Sequence, residues 1–400
     1  MPTFVWKGKN RYGDTVGGER VAASADELAQ VLQKDQITVL SAKLARGGLQ
    51  IPFLKREKVG LKELSVYSRQ LSVLIDAELP LIQSLGILEE QQKNKYFRQV
   101  IKTIKDDVEA GSTLNQAKRK HPKAFDNLYC NLIASGEQSG SLDTMLRRLS
   151  EFIEKNLRLR SKVKQAMIYP VAIVSFAIVV AIFLLWKVIP VFANIFRDLG
   201  AELPFLTAFI VKLSEFVQKN ILFVFIGIFA FILAFRYYRN TKQGRWTTDR
   251  LLLKVPIFGP LLYKVAMTRV TRTLATLISG GVPMLEALKI TSTTAGNVII
   301  ENEISEARRL VSEGKTLHDS FKEAGRFPTM MIQMINVGEA TGTLDEMLSK
   351  LANFYDEEVD AAVSAMLSVL EPILLIFVGG MVGSLVVAMY LPIFSLMKAF

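Results

Sequence analysis

The eight residues Gly136-Glu137-Gln138-Ser139-Gly140-Ser141-Leu142-Asp143 return 202 positions later as Gly338-Glu339-Ala340-Thr341-Gly342-Thr343-Leu344-Asp345. Five of the eight are identical and two exchange Ser for Thr. The register persists downstream: Tyr169-Pro170 matches Glu371-Pro372, and Pro190-Val191-Phe192 matches Pro392-Ile393-Phe394. Upstream the offset is 203, pairing Arg69 with Arg272 and Leu79-Pro80-Leu81 with Val282-Pro283-Met284, so one residue has been gained or lost between the anchors. Such a chain has to fold as two copies of one unit of roughly 130 residues. Each copy runs from a helical stretch into a long apolar one.

The length leaves room for two or three domains. Half of the 400 residues are hydrophobic and mean hydropathy is +0.27, although 22% are charged. Both facts hold together if polar domains alternate with apolar spans. The net charge of +11 admits nucleic acid or anionic lipid headgroups as a partner. The apolar spans favour the lipid bilayer, and no nucleic acid is expected. The lone Cys130 cannot form an internal disulfide, which suits a reducing compartment. Met1 to Asn10 carry no apolar run, so insertion is expected to use internal segments rather than a cleaved leader.

Residues 1–46 read as a small α/β module. Phe4 and Trp6 alternate with polar neighbours, and Gly13-Asp14 and Gly17-Gly18 mark turns. Ser24-x-x-Glu27 is a capping box for a helix to Gln33, and Ile37 to Leu44 alternates as a strand. Residues 47–60, with Lys55-Arg56-Glu57-Lys58, form a basic linker: a solvated tether, or a contact for anionic lipid or an acidic partner. Residues 61–166 are helical in period, with Leu64, Tyr67, Leu71, Leu74 and Ile75 at three- and four-residue steps. Pro80, Gly111, His121-Pro122, Gly136 and Gly140 divide them into about six helices, hence an antiparallel bundle. After a connector at 237–262, residues 263–371 repeat the pattern, with Leu274, Leu277, Pro283 and Leu288 for the first two helices and Gly314 and Pro328 as later breaks.

Gly136 and Gly338 fall just past an apolar helical run, the place for a left-handed closing residue. Ser141 and Thr343 then stand where the next helix starts. Thr343-x-x-Glu346 reads as a second capping box, and Asp143 and Asp345 complement the positive end of that helix. Gly136, Glu137, Gly140, Leu142 and Asp143, with Gly338, Glu339, Gly342, Leu344 and Asp345, thus form a tight turn first and a candidate docking surface second. The motif lacks the Gly-Lys-Ser/Thr ending of a phosphate loop.

Met167 to Trp186 is twenty residues without a charge, enough to cross a hydrocarbon core of about 30 Å. This gives a first span at 167–190. Ile221 to Phe235, flanked by Lys219 and Arg236 that can snorkel, gives a second at 220–236, and Pro372 to Met397 a third at 372–397. Lys155, Arg158, Arg160, Lys162 and Lys164 precede the first span, and Arg236, Arg239, Lys242, Arg245 and Arg250 follow the second. The loop 191–219 has only Arg197, Lys212 and Lys219. Both helical domains and the N-terminus are therefore expected inside, and the 191–219 loop and the tail 398–400 outside. Asp356, Glu357, Glu358 and Asp360, just before the third span, fit this poorly.

Pro170 and Pro372 occupy equivalent places where each helix enters lipid, and are candidate hinges. Glu371 is either a functional ionisable group at membrane depth or a headgroup-level carboxylate. Gly379-x-x-x-Gly383, with Gly380, puts small residues on one face for close packing against a helix of this chain or of another copy. The expected fold is all-α: a polytopic membrane protein with two homologous cytoplasmic six-helix bundles and three transmembrane helices, plus the small N-terminal α/β module. His121 and His318 are not equivalent between copies and lack the spacing of metal ligands. No nucleotide motif or catalytic set stands out, so no enzyme and no cofactor are expected.

This plan, with its doubled Gly-Glu-x-x-Gly-x-Leu motif, resembles the inner-membrane platform family of type IV pilus and type II secretion machines, the PilC/GspF family. The likeness covers nearly the whole chain, and Phe4-x-Trp6-x-Gly8 with Gly13 and Gly18 is closer to the pilus branch. One departure is Ala77-Glu78 before Leu79-Pro80, where the family usually has Gly and copy 2 has Gly280-Gly281; a turn of different shape is expected there. The resemblance implies a non-enzymatic platform in the bacterial inner membrane, N-terminus cytoplasmic and C-terminus periplasmic. Its implied partners are cytoplasmic assembly and retraction ATPases, pilin subunits, other inner-membrane alignment proteins and further copies of itself. A transport permease subunit, a lipid- or peptide-processing enzyme and a nucleic-acid anchor are the rival readings. The first needs a polar lining and the second a polar catalytic set at the membrane face, and the spans offer neither.

Overall fold

The computed structural model describes residues 3–9, 15–22, 24–34, 37–44, 58–198 and 204–399. The Gly13-Asp14 turn and residues 47–57 of the basic linker lie outside them. Two compact units divide the chain, Met1–Lys58 and Val59–Phe400.

In the first unit, β1 (Thr3–Lys9), β2 (Thr15–Val21) and β3 (Thr38–Leu44) form an antiparallel sheet in the order β2-β1-β3, with α1 (Ala25–Lys34) between β2 and β3. Ser24 Oγ accepts from the Glu27 N–H at 3.2 Å, capping α1. Leu28 and Leu32 of α1 are fully buried, against a set that includes Trp6, Ile37 and Val39.

The second unit is helical, and each copy supplies six helices. Copy 1 has α2 (Leu61–Asp76), α3 (Leu81–Gln91), α4 (Lys95–Glu109), α5 (Leu114–Arg119), α6 (Asn127–Ser139) and α7 (Leu142–Phe183). A π turn (Leu184–Val188), α8 (Ile189–Asp198), α9 (Phe205–Asn240) and α10 (Lys242–Lys254) lead to copy 2. That copy has α11 (Phe258–Ser279), α12 (Met284–Thr294), α13 (Val298–Ser312), α14 (Leu317–Ala324), α15 (Thr329–Thr341) and α16 (Leu344–Ala399). Much of 191–219 and 237–262, read from sequence as loop and connector, is therefore helix.

Start signals agree between copies. Asn94 and Asn297 accept from N–H groups at the starts of α4 and α13, and Thr113 and Thr316 do so for α5 and α14. These pairs are still 203 apart, whereas Phe125 and Phe327 are 202 apart. The register change thus falls in the α5–α6 connection.

One core runs through both copies. Leu71, Leu85, Ile101, Ile104, Leu132 and Ile133 of copy 1 and Leu274, Leu277, Leu288, Ile304, Phe321 and Ile335 of copy 2 are wholly inaccessible. Each such side chain contributes about 1.5–3 kcal/mol by leaving water. A fully buried charge lies in the copy 1 part of this interior. Lys118 is 0% exposed, with its ammonium 4.5, 4.9 and 5.1 Å from the ring centres of Tyr129, Phe125 and Tyr67. Burial lowers its pKa to about 7, while the ring faces favour the charged form.

The α2–α3 turn corrects one expectation. Ala77 has φ −81° and Glu78 has φ +60°; Gly280 has φ −82° and Gly281 has φ +72°. The two turns have the same shape. Glu78 holds a left-handed conformation that glycine adopts without steric cost. The difference lies in what the turns touch: Ala77 is exposed, whereas Gly280 is buried.

Among the described residues, two helices are long and apolar enough to cross a membrane: Leu142–Ile195, in which α7, the π turn and α8 run on, and Leu344–Pro392 of α16. At a rise of 1.5 Å per residue, α7 and α16 are about 63 and 84 Å long, more than twice a hydrocarbon core. The apolar run 221–235 lies on α9, which bends at Asn220 (φ −122°, ψ 22°). The α10–α11 pair also qualifies by length and composition, bent by 112°. Its apolar residues are spent elsewhere: Met267, Val270, Leu274 and Leu277 of α11 are fully buried in the bundle core.

Candidate functional site

The doubled signature closes α6 and α15 and opens the two long helices. Gly140 (φ +69°) and Gly342 (φ +73°) are the left-handed closing residues, not Gly136 and Gly338 as the sequence suggested. The carbonyl of Gly136 accepts from the N–H groups of Gly140 and Ser141, and that of Gly338 from Gly342 and Thr343, which satisfies a helix-end acceptor. Gly136 and Gly338 serve close approach instead. A Cβ on Gly136 would stand 3.0 Å from Met145 Cβ, and one on Gly338 2.8 Å from Leu344 Cα. Helix α15 therefore crosses α16 at a separation that excludes a Cβ, and α6 crosses α7 at one where a Cβ would have to push Met145 aside. The expected capping box at Thr343 does not form. Thr343 and Ser141 point their hydroxyls at Thr341 and Ser139, 2.7 Å away in each case, and Glu346 pairs with Lys350 at 2.7 Å. Leu344 is buried and Leu142 half-buried, with Asp143 exposed and Asp345 half-buried on the first turns.

Glu137, half-buried, and Glu339, exposed, reach along the surface of their bundles. Glu137 accepts from the backbone N–H groups of Leu114 (2.5 Å) and Asn115 (3.2 Å), and Glu339 from those of Leu317 (2.7 Å) and His318 (2.9 Å). Each carboxylate ties the signature turn to the first turn of the short helix α5 or α14. There it satisfies orphan donors and meets the positive end of the helix.

The two copies meet unequally. Leu132 of α6 packs where Gly280 has no side chain: a Cβ there would stand 2.6 Å from Leu132 Cδ2. Ser135 Oγ donates to the Gly280 carbonyl, and the Arg148 guanidinium donates to the Ser279 carbonyl. The end of copy 1's α6 and the start of α7 thus seat the α11–α12 turn of copy 2.

Beyond the bundles, α7 and α16 run side by side. Lys155 Nζ lies 3.4 Å from Asn353 Oδ1, and Lys162 Nζ lies 2.7 Å from the Asp360 carboxylate. Both partners advance seven residues together, so the helices are parallel. Leu159, Ala166, Val359 and Met366 cluster there with Leu261 and Val265 of α11. The acidic run that fitted the charge pattern poorly is absorbed by these contacts: Asp356 pairs with buried Arg272, Glu358 with Lys264 at 2.5 Å, and Asp360 with Lys162. Arg69 and Glu154, 3.8 Å apart, are the copy 1 counterparts of Arg272 and Asp356.

Helix α7 continues through buried Pro170 and α16 through exposed Pro372. Glu371 is exposed beside Pro372, and Gly379, Gly380 and Gly383 face no neighbouring atom that an added Cβ would meet within 4 Å. Packing at this end runs through other residues: Leu385 and Ala388 of α16 cluster with Ile189, Ala193, Ile210 and Val211. Thr207 Oγ1 donates to the Ala388 carbonyl at 2.7 Å. Pro190 lacks an N–H, so carbonyls of the π turn lose their helical donor. Ser214 donates to Leu185 O and Gln218 Nε2 to Trp186 O at 3.0 Å. This meets the requirement for internal satisfaction in lipid.

Sequence reading found the turns and missed the tie made by Glu137 and Glu339, the Ser135–Gly280 seat and the stem pairs. Lys155 with Lys162 and Asn353 with Asp360, each seven apart on one helix face, were the available signal for the last.

The type II secretion system (T2SS) protein F family model matches residues 67–190 and 270–392, the two copies, and the model of that protein's N-terminal domain matches residues 1–43. The chain is 43% identical to the type IV pilus assembly protein PilC of Myxococcus xanthus, over 99% of this chain and 95% of that protein. It is 42% identical to the PilC of Thermus thermophilus, over 99% and 98%. It is 32% identical to the type II secretion system protein F of Pseudomonas aeruginosa, over 99% of each chain. With its repeats, its paired long helices and its N-terminal module all matched, the chain belongs to the type II secretion system protein F family, the PilC/GspF family.

Proposed function

We propose that the chain is an inner-membrane platform of a type IV pilus assembly machine, coupling a cytoplasmic hexameric ATPase to the insertion or removal of pilin subunits. The role is mechanical. The observation that carries it is the pair of stems: two homologous bundles share one core, and each continues without a break into an apolar helix, with the two helices cross-braced where they leave the bundles. A force on either bundle is therefore delivered to both stems. Identity of 42–43% to two proteins named for pilus assembly, against 32% to one named for secretion, favours the pilus branch. A secretion platform is the second reading.

In this account the N-terminus and both bundles are cytoplasmic and the C-terminus periplasmic. The basic residues at 155–164, before the first apolar run, and at 236–250, after the second, support that orientation, and the acidic run before the third is offset by the cations that pair with Asp356, Glu358 and Asp360. The exposed turns at Gly140 and Gly342 offer the ATPase a docking surface. Glu137 and Glu339 brace that surface rather than touch the partner. Pro170 and Pro372 are the positions where a stem would bend under load, and normal piliation in a Pro170→Ala, Pro372→Ala double variant would remove that part of the account. Other alignment proteins of the inner membrane are expected along the outer faces of the stems.

The test is a deletion strain scored for surface pili and for secreted proteins. Loss of pili with secretion intact is the expected result. Loss of secretion with normal piliation would move the protein to the second reading.

A further inference from the structure

A cavity of about 290 Å³ lies where the two copies meet. Helices α2, α6 and α7 of copy 1 wall one side, and α11 with the end of α12 and the α12–α13 turn of copy 2 wall the other. Three of its lining residues carry charge: Asp126, the cap of α6, Arg160 of α7 and Arg269 of α11. Asp126 and Arg160 are exposed and Arg269 is half-buried, so the cavity opens to solvent. Neither guanidinium donates a hydrogen bond or comes within 4.0 Å of a carboxylate among the described residues. Burial, and after it the charge of Arg160, hold the Arg269 pKa below the usual guanidinium range. Arginine stays charged even so. Two cations are thus held near each other with no ion pair to either.

The place of Arg269 is shaped by a glycine. A Cβ on Gly296, itself at φ +82°, would stand 2.3 Å from Arg269 Nη1, so the guanidinium lies against bare backbone of the α12–α13 turn. The bundle fold does not require these groups. In copy 1 the places of Arg269 and Gly296 are taken by Val66 and Lys93. In copy 2 those of Asp126, Asn156 and Arg160 are taken by Pro328, Glu358 and Ala362. All five are particular to this junction, while the core and the caps around them repeat. An unpaired, half-buried cation costs stability, and the other copy shows that the same fold is reached without it.

Charge and shape together select a ligand class. The two arginines and one carboxylate leave one net positive charge in the cavity. Guanidiniums present planar donor forks that match the oxygens of a phosphate. Asn156 adds a neutral amide, and Leu61, Leu64 and Phe152 supply an apolar wall for the body of a small molecule. The volume is at the lower end for ligand sites. We infer that this cavity binds a phosphate ester, its phosphate held between Arg160 of copy 1 and Arg269 of copy 2, so that the ligand joins the two bundles. The ester has two sources. Arg160 stands seven residues before Met167, about 10 Å along α7 from the start of the first apolar run. A phospholipid headgroup at the membrane face and a phosphate ester from solution can each supply the same chemistry.

The full-length protein is purified into nanodiscs of phosphatidylcholine, and its melting temperature is followed as adenosine monophosphate is added at constant ionic strength. A second series replaces part of the phosphatidylcholine by phosphatidylglycerol, with no nucleotide. A ligand that binds the folded state raises the melting temperature. The inference expects a rise in at least one series: the first identifies a soluble ester, the second a lipid. The rise should disappear in Arg269→Gln and in Arg160→Gln and persist in Arg158→Gln, which changes an exposed arginine outside the cavity. Asp126→Asn keeps a capping side chain on α6 and removes the competing carboxylate. It should give the half-maximal rise at several-fold less ligand. Without ligand, Arg269→Gln should melt no lower than the wild type. No rise in either series, or a rise that survives in Arg269→Gln, would overturn the inference. So would an Arg269→Gln protein that melts lower without ligand, since that assigns the arginine a structural role. Because the readout is binding by the purified chain, it is independent of whether the machine served is a pilus or a secretion system.

Discussion

The Lys162 ammonium lies 2.7 Å from the Asp360 carboxylate, bridging α7 and α16 just beyond the bundles. Both side chains are about half exposed, so the pair itself contributes no more than about 1 kcal/mol. The apolar cluster of Leu159, Ala166, Val359 and Met366 beside it is the stronger hold. Asp360→Asn is therefore expected to change stability by less than about 1 kcal/mol. Ala166→Leu, which overfills the seam, is expected to cost about 1–3 kcal/mol. Thermal unfolding in detergent separates the two.

Glu137 and Glu339 act as remote helix caps, and the prediction follows from their partners. Glu339→Gln keeps one acceptor oxygen but loses the charge facing the start of α14. Glu339→Ala leaves the N–H groups of Leu317 and His318 without it. The expected losses are about 0.5 kcal/mol for Gln and 1–2 kcal/mol for Ala, with amide exchange at Leu317 and His318 accelerating first. Unchanged exchange at these amides would show that the carboxylate does not cap them.

Glu78 holds a left-handed conformation that Gly281 holds in copy 2. Glu78→Gly is expected to stabilise the protein by about 1 kcal/mol. Gly281→Glu should destabilise it by a similar or larger amount. Denaturant midpoints of the two variants should move in opposite directions.

Lys118 gives the bundle a pH dependence. The unfolded chain keeps this proton to the ordinary value of 10.5, while the folded chain gives it up at about 7. Between those values the unfolded state binds more protons, so stability rises with pH across that window; below it both states are charged and the burial cost is borne in full. Copy 2 has Phe321 at the equivalent place, fully buried. Lys118→Met is expected to flatten the slope and stabilise the protein near neutral pH, read as urea midpoints at about pH 6 and pH 9. An unchanged slope in the variant would assign it to other groups.

Much of this fold is legible in the sequence because its determinants are local. Helical period, the caps at Asn94, Thr113, Asn297 and Thr316, and long uncharged runs act within one element. The repeat then fixes that whatever copy 1 forms, copy 2 forms too. The left-handed glycine was misplaced by four residues because Gly136 and Gly140 look alike to a rule about helix ends. Only the crossing of α6 over α7 shows that Gly136 is small for packing, not for backbone freedom. Likewise, nothing near Glu137 in sequence points to Leu114, more than twenty residues earlier. The Ser135–Gly280 seat depends on how two copies meet, which the duplication allows but does not specify.

The central claim is that the two stems act as one braced pair. Lys162→Cys and Asp360→Cys in a Cys130→Ser background, bridged in native membranes by a short thiol-reactive crosslinker that spans the length of the lost lysine, test it directly. The account predicts efficient crosslinking within a single chain and retained piliation when the bridge is closed. Failure of the pair to link, or a linked protein that stays inserted but no longer supports pilus assembly, would contradict it.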